Sequence, residues 1–126
     1  MKTILRVVLL VPGVLFIVMG VRWVVSPAGM ASELGFELAN GIGRSSQIGD
    51  FAAFFLTAGI CILIAVVSRR WIWLYPPALL LLVAAIGRIL AWALHDAAFA
   101  TSMIFFEVGV GTLLLVTSLW NKESKA

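Results

Sequence analysis

The sequence predicts an all-α integral membrane protein, a four-helix bundle made of two antiparallel helical hairpins. Of its 126 residues, 63% are hydrophobic and 12% are charged, against roughly 45–50% and about 25% in soluble domains. Four apolar stretches each approach the ~17–25 residues that cross a hydrocarbon core as a helix. Strands are not expected, because the apolar stretches lack alternation and helices satisfy their own backbone hydrogen bonds in lipid. We therefore expect one domain over residues 1–126, embedded in the lipid bilayer.

The predicted helices are bounded by the ends of the apolar stretches. They cover residues 4–25, 51–67, 71–94 and 99–120. The first could be read as a signal peptide, but its apolar run is long for one and Arg22 interrupts its end, so we expect a retained helix. Tight turns at 68–70 and 95–98 connect the later helices, which makes sequential neighbours antiparallel.

The connection at residues 26–49 is the one long loop in this prediction. Within it, Glu33 and Glu37 repeat at a spacing of four, as do Leu34 and Leu38. This pattern gives an acidic face and an apolar face, and it predicts a short interfacial helix over about residues 32–40. The segment is either an ordered lid without a binding role or part of a site.

Positive charge predicts the orientation. Six of the nine Lys and Arg residues fall on one side of the predicted bilayer: Lys2, Arg6, Arg69, Arg70, Lys122 and Lys125. Because positive residues concentrate in cytoplasmic loops, we expect both termini in the cytoplasm of a bacterial inner (plasma) membrane. The long connection and the turn at His95 then face outward.

Several kinds of site are excluded by residue counts. A single cysteine, Cys61, forbids an intramolecular disulfide. With a single histidine, His95, the chain cannot build a Cys/His zinc site, and we predict neither metal nor cofactor. The basic residues are scattered, so no nucleic-acid partner is expected. No G-x-S-x-G, P-loop, H-E-x-x-H or Cys-x-x-Cys motif occurs, and whether the protein is an enzyme stays open.

Two charges inside the predicted membrane spans are the leading candidates for function, because such charges are costly. Arg88 lies roughly 9 Å from the outer end of the third helix, and Glu107 roughly 12 Å into the fourth, at ~1.5 Å per residue. The matching depths predict an ion pair across the hairpin. Such a pair is either a buried structural clasp or a polar anchor for a ligand.

Other polar residues share this depth. Trp92 and His95 follow Arg88 at helical spacing and so lie on one helix face. The ligand-pocket candidates, which could line one outward-facing polar cavity, are Arg22, Asp50, Arg88, Trp92, His95, Asp96 and Glu107. Asp50 and Asp96 have a second interpretation as helix N-caps, and Arg22 has one as a snorkelling side chain.

Three short segments carry a resemblance to a known family. They are residues 43–50 (Gly-Arg-Ser-Ser-Gln-Ile-Gly-Asp), Gly87-Arg88, and Phe106-Glu107-Val108-Gly109. With four helices and a long first outer connection, this chain resembles the DoxX-like small membrane proteins, and most closely their relatives of unknown function. The resemblance implies a four-helix membrane fold. In that family, DoxX itself is linked to a thiosulfate:quinone oxidoreductase as a membrane subunit, and most relatives have no assigned activity.

These observations predict an accessory or ligand-binding membrane protein whose outward-facing polar cavity binds a small amphiphile such as a quinone or lipid. Three alternatives stay open. The chain could be a structural subunit that stabilises a larger membrane complex. It could be a membrane enzyme acting through Glu107, His95 and Arg88, or a small transporter working as an oligomer. A membrane-protein partner or a homo-oligomer is compatible with each of these.

Overall fold

The computed structural model describes residues 2–124 and is all-α, as predicted. The helices are α1 (Lys2–Val25), α2 (Pro27–Glu33), α3 (Gly41–Ser68), α4 (Tyr75–Leu94) and α5 (Thr101–Ser124), with a 3₁₀ helix at Trp71–Leu74 before α4. Four spans within the described residues are long and apolar enough to cross a membrane: Thr3–Val25, Gly41–Ser68, Trp71–Leu94 and Thr101–Asn121. The predicted fold class of four membrane-spanning helices is therefore confirmed.

The chain packs as two compact units, Met1–Leu63 and Ile64–Ala126. In the first unit, α1 lies beside α3, with Gly13 against Ile62 and Gly20 against Leu56. Residue numbers fall along α3 as they rise along α1, so the two helices are antiparallel. The helix pair is therefore a hairpin closed by a long connection.

The buried side of α1 follows a simple spacing. Leu9, Phe16 and Trp23 are each fully buried and lie seven residues apart, which places them on one stripe of the helix. Glycine lets the partner helix approach this stripe closely: a Cβ atom on Gly59 would lie 2.6 Å from Ile17 Cγ1 and 2.8 Å from the Gly13 carbonyl oxygen. Close backbone approach at small residues is the usual packing mode of membrane helices.

The connection between α1 and α3 spans residues 26–40 and is called here the cap. Its helix, α2, covers Pro27–Glu33, so the prediction of a helix over 32–40 is wrong. Proline favours the first turn of a helix, and Gly35, with φ +81°, ends it. The Phe36 N–H bonds to the Ala31 carbonyl at 2.7 Å and the Gly35 N–H to that of Ser32 at 3.1 Å, which is a Schellman motif.

The second half of the cap is tied to the first turns of α3. Gln47 Oε1 accepts a hydrogen bond from the Ala39 N–H at 2.7 Å, and Gln47 Nε2 donates to the Glu37 carbonyl at 3.1 Å. Arg44 Nε donates to the Ala39 carbonyl at 2.9 Å. These bonds use side chains that the sequence places in a loop. These bonds explain why α3 begins at Gly41. The sequence predicts a later start, at residue 51.

In the second unit, α4 and α5 are also antiparallel. Ser118 Oγ donates a 2.8 Å hydrogen bond to the Trp71 carbonyl, and Leu82 packs against Gly111. Within residues 101–121, the buried positions of α5 are Ile104, Glu107, Gly111, Leu114, Thr117, Ser118 and Asn121. They recur every three or four residues, with Thr117 and Ser118 adjacent, so they form one stripe. Glu107 is buried because it occupies this stripe.

The turn between α4 and α5 is wider than predicted. At the end of α4, the His95 N–H donates a hydrogen bond of 2.9 Å to the Ala91 carbonyl. Asp96 follows in the left-handed region, with φ +56°, a conformation that Asp tolerates better than most residues. The helix α5 begins at Thr101 rather than at residue 99.

Candidate functional site

Arg88 and Glu107 form the ion pair that the sequence predicts. Arg88 Nε donates to Glu107 Oε1 at 2.8 Å. The exposed fraction of the side chain is 34% for Arg88 and 7% for Glu107. The Glu107 side chain is thus enclosed by the protein, whereas one third of the Arg88 side chain is accessible.

The packing of α4 on α5 sets this geometry. A Cβ atom on Gly111 would lie 3.0 Å from Leu82 Cγ, so the missing side chain lets α4 approach α5 at this level. Arg88 lies six residues after Leu82, and Glu107 four residues before Gly111. In an antiparallel pair these steps run in the same direction and rise about 9 Å and about 6 Å, a difference that the long Arg88 side chain spans.

The pair leaves hydrogen-bonding capacity unused. A guanidinium and a carboxylate can form two parallel hydrogen bonds, but here Arg88 uses Nε alone. Neither Nη1 nor Nη2 bonds to another residue in the described part of the chain. The two ionised groups also neutralise each other. The site therefore offers N–H donors with little net charge, which suits a neutral acceptor such as a carbonyl better than an anion.

The predicted neighbours of this pair lie nearby along α4. Trp92 is one turn after Arg88 and contacts Phe99 edge-on, with ring centroids 5.2 Å apart. Both aromatic rings are exposed, so they present an apolar surface beside the guanidinium. His95 and Asp96 are exposed in the turn that follows. No hydrogen bond between described residues joins either of them to the ion pair.

Arg22 forms an ion pair that the sequence analysis does not predict. Its Nη1 and Nη2 donate to Glu33 Oε2 and Oε1 at 2.8 and 2.7 Å. The bidentate pair joins the last turn of α1 to the last residue of α2. Hydrogen bonding to Arg22 lowers the pKa of Glu33 below its ordinary value of 4.5, although desolvation opposes this shift.

The capping roles considered for two aspartates are wrong. Asp50 lies within α3, nine residues after its start at Gly41, where no free N-terminal amide is within reach. Asp96 precedes the start of α5 at Thr101 by five residues. Both side chains are exposed. Asp50 belongs to the first unit and Asp96 to the second, and their proposed part in one shared cavity stays a prediction.

Glu33 is the candidate-site contact that the sequence analysis does not predict, because it pairs with Arg22. The sequence pattern assigns it only to the acidic face of a helix that the structure places elsewhere. A usable signal is present: Arg22 ends a membrane span, and Glu33 is the first acidic residue after it. The eleven-residue separation hides the pairing, because the turn at Ser26 and Pro27 must first fold α2 back over the end of α1.

Comparison with known proteins gives no match to a protein-family model, a curated protein or a solved structure. Among the residues that the structure describes, no three His, Cys, Asp or Glu side chains are grouped so that they could hold a metal ion.

Proposed function

We propose that this integral membrane protein binds the polar head of a small amphiphile at Arg88 and serves as an accessory protein of the bacterial inner membrane. The quinone or lipid predicted from the sequence would place its head against the guanidinium and its tail along the apolar surface of α4. In this proposal both termini are cytoplasmic and the chain is of the DoxX-like type.

The observation that carries the proposal is the single hydrogen bond between Arg88 and Glu107. A purely structural clasp would gain most from two parallel bonds, because each satisfied donor reduces the cost of burying the charge. Here the enclosed Glu107 accepts from Nε alone, and Nη1 and Nη2 bond to no described residue, on a side chain that is one third exposed. Such an arrangement holds a donor group in position for an outside acceptor.

The charge balance bears on the class of head group. A phosphate gains most from an uncompensated cation, whereas the carbonyl of a quinone or an ester requires only an N–H donor. Since Glu107 already neutralises Arg88, the pair favours the carbonyl. The exposed rings of Trp92 and Phe99 would contact the ring or upper chain of the bound molecule.

Native mass spectrometry of the protein, released from membranes in a mild detergent, tests the proposal. We expect the wild type to carry a co-purifying amphiphile and Arg88→Leu to lose it, with partial retention in Arg88→Lys. Arg70→Leu is the matched control, because it removes an exposed arginine from the same unit at the opposite end of the hairpin and should keep the adduct. A bare wild-type mass, or as many bound amphiphile molecules in Arg88→Leu as in the wild type, would overturn the proposal. Co-purification of another membrane protein without an amphiphile would instead favour the structural-subunit alternative.

A further inference from the structure

The cap covers a group of aromatic side chains at the end of α1. Trp23 is fully buried and stacks on Phe51 of α3, with ring centroids 4.7 Å apart and an interplanar angle of 13°. Phe36 of the cap lies 5.0 Å from Phe51, centroid to centroid. Met30 of α2 is also fully buried in this cluster. The cap thus closes an apolar cluster that α1 and α3 leave open.

One polar atom in this cluster is unsatisfied. Trp23 Nε1 is buried and has no hydrogen-bond partner among the described residues. Buried indole N–H groups usually find an acceptor, since an unpaired buried donor loses its hydration without compensation. An orphaned donor in an otherwise well-packed cluster therefore indicates that an acceptor from outside the chain completes it.

The contact that closes the cap over Trp23 is exposed. Arg22, the residue before Trp23, pairs with Glu33 at the end of α2, and 40% and 57% of the two side chains are accessible. Water and ions compete for such a pair. The rest of the cap, residues 37–40, is tied separately to α3 through Gln47 and Arg44. The Arg22–Glu33 pair is thus the polar contact that holds α2 down.

We propose that the cap covers a second binding site, in which Trp23 Nε1 donates a hydrogen bond to the carbonyl, ester or hydroxyl oxygen of a neutral membrane amphiphile. In the closed state no ligand reaches Trp23 Nε1 from the surface, because Trp23 and Met30 are fully buried. Binding therefore requires α2 to lift, which breaks the Arg22–Glu33 pair. The ligand is neutral because its partner, the indole N–H, is uncharged and is set among apolar side chains. This site lies within the first unit and does not depend on the site at Arg88.

The indole N–H signals of ¹⁵N-labelled protein report on this site directly. The chain has five tryptophans, and the signal of Trp23 is assigned by elimination from Trp71→Phe, Trp73→Phe, Trp92→Phe and Trp120→Phe, which leave the cluster intact. The protein is studied in maltoside micelles and titrated with monoolein, which carries an ester and hydroxyls. Hexadecane, which has a chain but no acceptor, is the matched control.

We expect monoolein to move the Trp23 indole proton downfield in a saturable way, and hexadecane to leave it in place. Glu33→Gln should lower the half-saturating monoolein concentration by about threefold or more, because it raises the fraction of protein with a lifted cap. Arg70→Gln, which removes a charge from the other unit, should not. An unmoved Trp23 signal, an equal shift with hexadecane, or a half-saturation unaffected by Glu33→Gln would overturn the proposal.

Discussion

Ser118 Oγ donates a hydrogen bond of 2.8 Å to the carbonyl of Trp71, 47 residues earlier in the chain. The bond ties α5 to the 3₁₀ helix that precedes α4, at the opposite end of the hairpin from Arg88 and Glu107. The two helices are thus fixed by a polar contact near each end, with Leu82 packed on Gly111 between them.

Ser118→Ala should destabilise the second unit. The side chain is 1% exposed, so the lost hydrogen bond is not replaced by water, and we expect a cost of about 0.5–1.5 kcal/mol. The midpoint of thermal unfolding in detergent measures the effect. Ser102→Ala, at an exposed position of the same helix, is the control and should leave the midpoint unchanged. Equal midpoints for the two variants would contradict the structural role of this bond.

Replacing Arg88 should destabilise the protein more than replacing Glu107. Arg88→Leu strands an enclosed carboxylate and should cost ~3–5 kcal/mol, the range for an unpartnered buried charge. Glu107→Gln leaves a guanidinium that is already one third exposed and can turn to the head groups, so it should cost less. The midpoints of thermal unfolding of the two variants test whether Arg88→Leu is the more destabilising change.

The double variant Arg88→Leu/Glu107→Gln should be less destabilised than the sum of the single effects, because residues in contact are not additive. Full additivity would show that the two side chains do not interact in the membrane. Single variants with the stability of the wild type would remove the clasp from consideration and leave ligand binding as the role of the pair.

The closure of the cap should depend on pH through Glu33. Its pKa is lowered by Arg22 below 4.5, so the folded state favours the carboxylate. The contribution of the pair is then present above pH 4.5 and is lost as pH falls through the lowered value. Hydrogen–deuterium exchange of the 26–36 peptide should be slower in the wild type than in Glu33→Gln at neutral pH. The two should converge in acid after correction for intrinsic exchange rates. A difference that persists at all pH values would show that Glu33 acts through something other than its charge.

Gly59→Ala should weaken the packing of α1 on α3. The added Cβ would lie 2.8 Å from the Gly13 carbonyl oxygen, and a backbone atom cannot move aside as a flexible side chain can. We expect overpacking to cost about 1–3 kcal/mol. Gly49→Ala is a matched control on the same helix, because nothing lies within 4 Å of the position that its Cβ would take; it should be neutral or stabilising. Unfolding midpoints of the two variants would decide the comparison.

Both termini are expected on the cytoplasmic side. An alkaline phosphatase domain, which is active only outside the cytoplasm, should be inactive when fused after Ala126. It should be active when fused after Asn40, at the end of the cap, with the rest of the chain removed. The opposite pattern would overturn the orientation inferred from the positive residues.

The sequence predicts the spanning helices well because lipid imposes one simple requirement on them, a long apolar run. It also predicts the Arg88–Glu107 pair, because two helices joined by a short turn place residues of equal depth side by side. The cap is predicted less well. Its fold depends on Gln47 and Arg44 bonding to the backbone of residues 37–39 and on Glu33 reaching Arg22. Such contacts join polar residues of ordinary loop composition, and periodicity carries no information about them.

The length of α3 sets it apart from the other helices. Its 28 residues correspond to about 42 Å at ~1.5 Å per residue, whereas the 20 residues of α4 correspond to about 30 Å, the thickness of a typical hydrocarbon core. A thicker bilayer could be matched by α3 through a smaller tilt, at little cost, but it would stretch beyond α4 and create a hydrophobic mismatch there. The shorter helix therefore determines which membranes suit this protein, whereas α3 has about eight residues to spare, and its first eight residues include Arg44 and Gln47.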